Sequence, residues 1–179
     1  MLRAPKLHKP QPLRPGARVR VVAPASPLDP TLLDAGIAAL EAGWGVEVQC
    51  APSLRDRRHL YFAGRPEERA RELRDALLDP GVDAILPVRG GYGLTSLLPL
   101  LDPAEISAAR PKIVVGCSDL TVLLNWLVRR VGWTAVHGPM LSSFARGDDA
   151  AGLARLHAML FSSERPEPMR SSLPDPHAF

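Results

Sequence analysis

Short apolar segments rich in β-branched residues alternate with longer helical segments between residues 18 and 162. The five apolar segments are RVRVVAP from Arg18, GVEVQC from Gly45, VDAILPV from Val82, KIVVG from Lys112 and WTAVHG from Trp133. Strands that alternate with helices in this way form right-handed βαβ units and hence a parallel sheet. The sequence therefore predicts an α/β fold with a three-layer, mostly parallel, flavodoxin-like sheet of about five strands.

Local signals set the expected helix boundaries. DPTLLDAGIAALEAGW predicts a helix that begins at Pro30, with Asp29 as its N-cap, and ends near Gly43. PEERARELRDALLD, from Pro66, predicts a second helix because its apolar residues share one face and two glutamates occupy its first turn. Further helices are predicted over 119–132 and about 150–161, with one or two short ones after residue 94.

The two ends of the chain differ in composition from this α/β region, which is expected to span residues 18–162. The first 20 residues contain six arginines and lysines and no acidic residue, so subtracting them from the net charge of +3 leaves −3 for the rest. No aromatic residues are interleaved with these charges, so the basic, Pro-rich leader over 1–17 is predicted to be a solvated tail, not a nucleic-acid reader. Residues 163–179 carry four prolines and no periodicity, which predicts a linker.

Several function classes are disfavoured by composition. No segment approaches the ~18 consecutive apolar residues of a membrane span, and the N-terminus lacks the apolar region of a secretory signal, so a cytoplasmic protein is expected. Its two cysteines, Cys50 and Cys117, lie far apart and outside any metal-ligand spacing. No metal or other cofactor is expected.

Three polar turns follow predicted strands: APASP after the first, RGGYG (89–93) after the third and GCSD (116–119) after the fourth. Ligands of open parallel sheets bind beyond the carboxyl ends of the strands. The three turns are therefore expected to converge on one site.

The GCSD turn has two interpretations. A strand-to-helix turn that exposes Ser118 is the geometry of a nucleophile elbow, in which the N–H of Asp119 could stabilise an oxyanion. Alternatively, Ser118 or Asp119 caps the following helix. The full G-x-S-x-G pattern is absent, because Leu120 stands in place of the second glycine.

The neighbouring polar residues also leave alternatives open. The glycines of RGGYG could hold a phosphate, complete an oxyanion hole or only form a turn, and no Walker A or G-x-G-x-x-G pattern is present. Ser26 of APASP either binds a ligand or starts the turn before Pro27. His137 and Cys117 are predicted to be packing residues. The arginines between Arg55 and Arg58 are expected to be solvated, although their loop could cover a site.

Taken together, VRVVAPASP, YFAG, DAILPVRGGYG, KIVVGCSDLT and AVHGPM resemble the LD-carboxypeptidase family of serine peptidases, which includes the microcin C immunity peptidases. The resemblance covers about residues 18–145, and Ser118 lies 29 positions after Arg89. It implies a cytoplasmic serine hydrolase, acting without metal, that releases the terminal D-Ala of the murein tetrapeptide by cutting an L,D-amide bond.

The resemblance also implies roles for individual residues. Ser118 would be the nucleophile, and the backbone N–H groups of Asp119 and Gly91 would form the oxyanion hole. The predicted substrate-binding residues are Ser26, Gly90, Tyr92 and Gly93.

The family's triad Glu and His belong to a second, C-terminal domain that begins with a GGN-like segment, and no such segment occurs in this sequence. The chain is therefore expected to carry half of a site and to be inactive alone, since a serine without its base is a weak nucleophile. The alternatives are an immunity-type amidase acting on peptidyl or aminoacyl nucleotides, and a non-catalytic module that binds an anion or peptide. The expected partners are a murein peptide, the missing domain and a second copy in a homodimer, but neither nucleic acid nor membrane.

Overall fold

The five predicted strands form one parallel sheet in the computed structural model, which describes residues 6–164. The strands are β1 (Arg18–Val22), β2 (Glu47–Cys50), β3 (Ala84–Pro87), β4 (Ile113–Gly116) and β5 (Val136–His137). Their order is β2-β1-β3-β4-β5 and every pair is parallel. This is the flavodoxin-like order, so the predicted fold class is confirmed.

Helices cover both faces of the sheet. They are α1 (Pro30–Trp44), α2 (Pro66–Leu78), α3 (Pro103–Ala108), α4 (Thr121–Trp126), α5 (Leu141–Arg146) and α6 (Ala150–Leu160). Residues of α1, α5 and α6 share one apolar core with Val19 and Val21 of β1, and residues of α2, α3 and α4 share the other with Ile85 and Val114. Alternate residues of the strands thus face opposite cores, as the period of a β-strand requires.

Helix α1 begins as predicted and ends at Trp44, one residue beyond Gly43. The carboxylate of Asp29 accepts a hydrogen bond from the N–H of Thr31 at 2.9 Å. At the other end the left-handed residue is Gly45, with φ of 63°, and its N–H bonds to the carbonyl of Glu41. Gly43 lies within the helix because a glycine ends a helix only where the backbone turns left-handed, as at Gly45.

Two helical regions depart from the predictions. The predicted helix over 119–132 is a 3₁₀ turn (Ser118–Leu120), α4 and a π-helical turn (Leu127–Val131) in succession. Helix α5 was not predicted because its six residues are too few to show helical periodicity. Its Leu141 packs against α1, where a Cβ added to Gly36 would lie 2.9 Å from the Leu141 Cγ.

Part of the leader is packed, so the prediction of a solvated tail is wrong at Leu13 and Ala17, whereas most other residues between 6 and 17 are exposed as predicted. Leu13 is only 3% exposed and its N–H bonds to the carbonyl of Leu160 at 2.8 Å. The N–H of His8 bonds to the carbonyl of Gly132 at 2.7 Å. The Leu13 side chain and these backbone bonds hold this part of the leader against the β5 edge of the sheet. The domain limits remain predictions, and the expected linker lies almost entirely outside the described residues.

Within residues 6–164 no helix is long and apolar enough to cross a membrane.

Candidate active site

The three polar turns converge at the carboxyl edge of the sheet, as predicted. The chain leaves β1 toward β2 on one side and returns to β3 on the other, so the β1–β3 boundary is the topological switch point at which open α/β sheets bind ligands. APASP follows β1, RGGYG follows β3 and GCSD follows β4. All three turns therefore lie at or next to this boundary.

Ser118 is exposed and has a left-handed backbone, with φ of 56°. The preceding Cys117 is extended, with φ of −149°, so the chain reverses sharply at the serine. A left-handed L residue costs about 1–2 kcal/mol. Strain of this kind is typical of a nucleophile elbow, which raises its serine above the end of a strand.

The capping alternative is not supported by the contacts of this turn. No side chain caps either the 3₁₀ turn that starts at Ser118 or α4. The carboxylate of Asp119 instead accepts a hydrogen bond from the backbone N–H of Leu94, at 3.0 Å. Asp119 thus joins the GCSD turn to the end of the glycine-rich loop.

The glycine-rich loop lies directly against two serines. A Cβ added to Gly90 would lie 2.9 Å from the Cβ and 3.1 Å from the Oγ of Ser118. One added to Gly91, which has φ of 134°, would lie 2.0 Å from the Oγ of Ser26. Both glycines are therefore needed for close approach, and they bring Ser26, Gly91, Gly90 and Ser118 together in one cluster.

Aromatic residues border this cluster. Tyr92 is 71% exposed, and its ring centroid lies 6.4 Å from that of Phe62 in the YFAG segment. A Cβ added to Gly93, with φ of 102°, would lie 2.5 Å from the Phe62 ring. Phe62 belongs to the neighbourhood of the site but was not singled out from the sequence.

Arg57 is not solvated, contrary to the prediction for its loop. Its guanidinium pairs with the Glu72 carboxylate at 3.0 Å, and the two side chains are only 15% and 11% exposed. Arg57 also donates through Nε to the carbonyl of Ala63. The same Glu72 carboxylate accepts from the N–H of Ala23 at 2.9 Å, so this pair fastens both the APASP turn and the YFAG segment to α2.

Arg69 is a second residue that sequence reasoning missed. It is fully buried and donates to the carbonyls of Pro24 and Gly64, at 2.6 and 3.0 Å. Burial lowers the pKa of its guanidinium. A signal was available in the sequence, because Arg69 falls four residues before Leu73 on the apolar face of α2, where a charged side chain is unusual.

Histidine and cysteine do not form a catalytic pair with Ser118 here. His137 ends β5 opposite Gly116 and is exposed, so the prediction that it is a packing residue is wrong. None of the residues between 6 and 164 hydrogen-bonds the Ser118 hydroxyl. Burial raises the pKa of the Cys117 thiol, which favours the unreactive protonated form. No three His, Cys, Asp or Glu side chains in this range group as metal ligands would.

A strained, exposed serine at the end of a central parallel strand, beside a close-packed glycine loop, defines the class: an α/β protein that presents a serine at a strand-to-helix turn. A family model described as the LD-carboxypeptidase N-terminal domain matches residues 19–138. The chain belongs to the LD-carboxypeptidase family, of which it represents the N-terminal half.

Individual relatives support this membership. A Streptomyces coelicolor protein named as a carboxypeptidase is 41% identical over 161 residues, which are 89% of this chain and 52% of that protein. The crystal structure of a muramoyltetrapeptide carboxypeptidase from Oxalobacter formigenes has a TM-score of 0.73 and 34% identity over 82% of this chain and 48% of that one. The microcin C7 self-immunity protein bound to aspartyl sulfamoyl adenosine has a TM-score of 0.80 and 25% identity, covering 87% and 48%. The chain spans about half the length of the relatives it matches.

Proposed function

We propose that this chain is the nucleophile-bearing half of a serine LD-carboxypeptidase that releases the terminal D-Ala of a murein tetrapeptide. The observation that carries the proposal is the left-handed backbone of Ser118, which exposes a hydroxyl at the carboxyl end of β4 against the backbone of Gly90. Family membership supports the reaction class, and the muramoyltetrapeptide carboxypeptidase from Oxalobacter formigenes supports the substrate.

In the proposed reaction the Ser118 Oγ attacks the carbonyl carbon of the L,D-amide bond, giving its proton to a base. The backbone N–H groups of Asp119 and Gly91 stabilise the oxyanion. The tetrahedral intermediate collapses as the protonated base donates its proton to the amide nitrogen, so that the C–N bond breaks and D-Ala leaves with a free amino group. Water, deprotonated by the same base, then attacks the acyl-serine ester, and the proton returns to Ser118 as the tripeptide carboxylate leaves. Ser26, Gly90, Tyr92 and Gly93 are the proposed substrate contacts.

The base and its orienting carboxylate are proposed to come from the other half of the family fold. Among the described residues Ser118 has no hydrogen-bonded histidine, and such a serine is weakly nucleophilic at neutral pH. The chain alone is therefore expected to turn substrate over immeasurably slowly.

The test joins residues 1–164 to the C-terminal half of the Oxalobacter formigenes enzyme and measures D-alanine release from a murein tetrapeptide. The fusion is expected to release D-alanine. Ser118→Ala in the fusion should lower kcat by about 10⁴-fold or more, as loss of a catalytic serine does. Ser107→Ala, at an exposed position of α3, is the matched control and should leave the rate unchanged.

Three results would contradict parts of the proposal. Turnover by residues 1–179 alone at the rate of the full-length relative would disprove the proposal that this chain carries only half of the active site. An active Ser118→Ala fusion would disprove the nucleophile. A fusion that folds by circular dichroism but cleaves nothing would favour a non-catalytic binding module.

A second candidate is an amidase acting on aminoacyl or peptidyl nucleotides. It is favoured by the TM-score of 0.80 with the immunity protein bound to aspartyl sulfamoyl adenosine. Fusing the C-terminal half of that protein to residues 1–164 tests it, because cleavage of aspartyl sulfamoyl adenosine without D-alanine release from tetrapeptide would favour this candidate.

A further inference from the structure

One buried side chain, Arg69 of α2, contacts three separate loops at the candidate active site. Its Nη1 donates to the carbonyl of Pro24 in the APASP turn at 2.6 Å and to that of Gly93 in the glycine-rich loop at 3.4 Å. Its Nε donates to the carbonyl of Gly64, which ends the YFAG segment, at 3.0 Å. A single guanidinium is thus the common hydrogen-bond donor to all three segments.

The contact with Gly93 extends to the turn that carries Ser118. The carbonyl of Gly93 and the N–H of Leu94 belong to the same peptide group. Arg69 donates to that carbonyl, whereas the N–H donates to the Asp119 carboxylate at 3.0 Å. This one peptide group therefore lies between the buried arginine and the residue that follows Ser118.

The glycine-rich loop packs closely on Ser118, Ser26 and Phe62, but among the described residues Arg69 makes the hydrogen bond that ties it to another segment. Gly91 and Gly93 have φ of 134° and 102°, values at which glycine has wide conformational freedom. Tyr92 between them is largely exposed. The Gly93 carbonyl also accepts from the Ser96 hydroxyl at 2.7 Å, but Ser96 lies within the same segment and cannot fix the loop relative to Ser118.

A buried guanidinium is a costly way to fill space. The hydrogen-bond acceptors of Arg69 within the described residues are backbone carbonyls, and the Phe62 ring lies 4.7 Å from its Cζ. An apolar side chain of similar volume is often at least as stabilising as a buried charge. A planar fork of N–H donors can hold several carbonyls in fixed relative positions, and an apolar group cannot.

We propose that Arg69 is a positioning residue that, by holding Gly93, sets the glycine-rich loop and its Gly91 at the correct distance from Ser118. The inference rests on the proposed function for its catalytic meaning, since it concerns the geometry of the oxyanion hole. Arg69 acts through the Gly93–Leu94 peptide group and does not touch substrate.

The first test measures amide hydrogen exchange by NMR in residues 1–179. Arg69→Met should speed exchange of Leu94 and Ala63 by about tenfold or more beyond any change at Ile113 of β4, because only the loops lose their anchor. Arg69→Lys keeps a charge without the planar fork and should give an intermediate effect at Leu94. Arg74→Met, at a half-buried arginine of the same helix, is the matched control and should leave the loop amides unchanged.

The second test uses the fusion with the Oxalobacter formigenes half. Arg69→Lys should lower kcat by about 10- to 100-fold while KM changes less than about threefold, as expected when transition-state geometry is lost and ground-state binding is kept. Arg74→Met should change neither constant.

Equal acceleration of all amides, including Ile113, would overturn the proposal, since it would show that Arg69 only stabilises the fold. Unchanged Leu94 exchange and kcat in Arg69→Lys would also overturn it. If the parent fusion were inactive, the proposed function would fail, and the exchange rates of residues 1–179 would still decide whether Arg69 positions the loop.

Discussion

Ser118 combines an exposed hydroxyl with a backbone conformation that L residues rarely adopt. The strain at φ of 56° is a cost of folding that a glycine would not incur. Comparing glycine with alanine at this position isolates that strain, because both variants lack the hydroxyl.

Ser118→Gly is expected to be more stable to urea than Ser118→Ala by about 0.5–1 kcal/mol. This difference is the backbone strain that glycine relieves, minus the additional conformational entropy that glycine loses on folding. Ser107, a helical residue of α3, is the control, and there glycine should be less stable than alanine by a similar amount. The same sign at both positions would contradict the claim that Ser118 is strained.

The sequence left the role of Ser118 open between cap and nucleophile for a physical reason. Capping depends on contacts within one helical turn, and serine at a helix start satisfies that pattern by composition alone. What separates the alternatives is the φ of one residue and the partner of the Asp119 carboxylate, Leu94, which lies 25 positions earlier. Neither is encoded in the neighbouring residues.

At the scale of elements, the Arg57–Glu72 ion pair joins the hydrogen bonds of Arg69 in holding loop 51–65 and the turn after β1 to α2. Arg57 and Glu72 are both largely buried, and the Oε1 of Glu72 has no hydrogen-bond partner among the described residues. Removing Arg57 would leave the carboxylate, within residues 6–164, with the Ala23 N–H alone as its hydrogen-bond donor. Loss of one member of a buried pair is more costly than loss of both, because the remaining charge is desolvated without compensation.

Arg57→Met should therefore lower the free energy of unfolding by about 3 kcal/mol. Adding Glu72→Gln should recover part of that loss, and urea denaturation measures both. Arg55→Met removes a neighbouring arginine whose pair with Asp34 is about half exposed, and its effect should be much smaller. A double variant no more stable than Arg57→Met would show that the buried charge is not the cause.

Elements with strong local signals were predictable, and those fixed by distant contacts were not. Asp29 and Pro30 mark the start of α1, and the β-branched run of β4 marks a buried strand, so both were found. Arg57 and Glu72 are 15 residues apart, and nothing near either predicts that they pair. The position of Arg69 on an apolar face was visible, but its three acceptors depend on how the loops meet.

At the scale of the whole molecule, Leu13 anchors the leader to the core of the sheet domain. Leu13 joins the core formed with α1, α5 and α6, and its contact with Leu160 spans 147 positions. Charge composition could not reveal this, because one apolar residue in a basic, Pro-rich segment carries the burial.

Leu13→Ala is expected to lower the free energy of unfolding by about 3 kcal/mol, as large-to-small changes in a core do. Leu7→Ala is the matched control, because Leu7 is 47% exposed and its truncation should have little effect. Equal urea midpoints for the two variants would contradict the packing of the leader.

Lys112, immediately before β4, is a fully buried cation at the opposite end of that strand from Ser118. Its ammonium donates to the carbonyl of Arg110 at 3.3 Å and lies 5.9 Å from the centroid of the Trp133 ring. Burial, helped by the charge of Arg110, lowers its pKa from the usual 10.5. Between the lowered value and 10.5 the unfolded chain binds more protons than the folded one, so this residue makes stability rise with pH in that window.

The two partly buried thiols oppose this trend, since burial raises the pKa of Cys50 and Cys117 and makes stability fall as pH rises above about 9.0. The thiols contribute equally to wild type and Lys112→Met, so the difference between their free energies of unfolding isolates the lysine.

We expect Lys112→Met to be the more stable protein at neutral pH, with an advantage that shrinks as pH approaches 10.5, because the folded lysine then loses its charge. Urea denaturation from pH 7 to 10 measures this difference, and Lys6→Met, at an exposed lysine, is the control that should leave the free energy of unfolding nearly unchanged at pH 7. An advantage that stayed constant with pH would mean that Lys112 is destabilising through its packing and not through its charge.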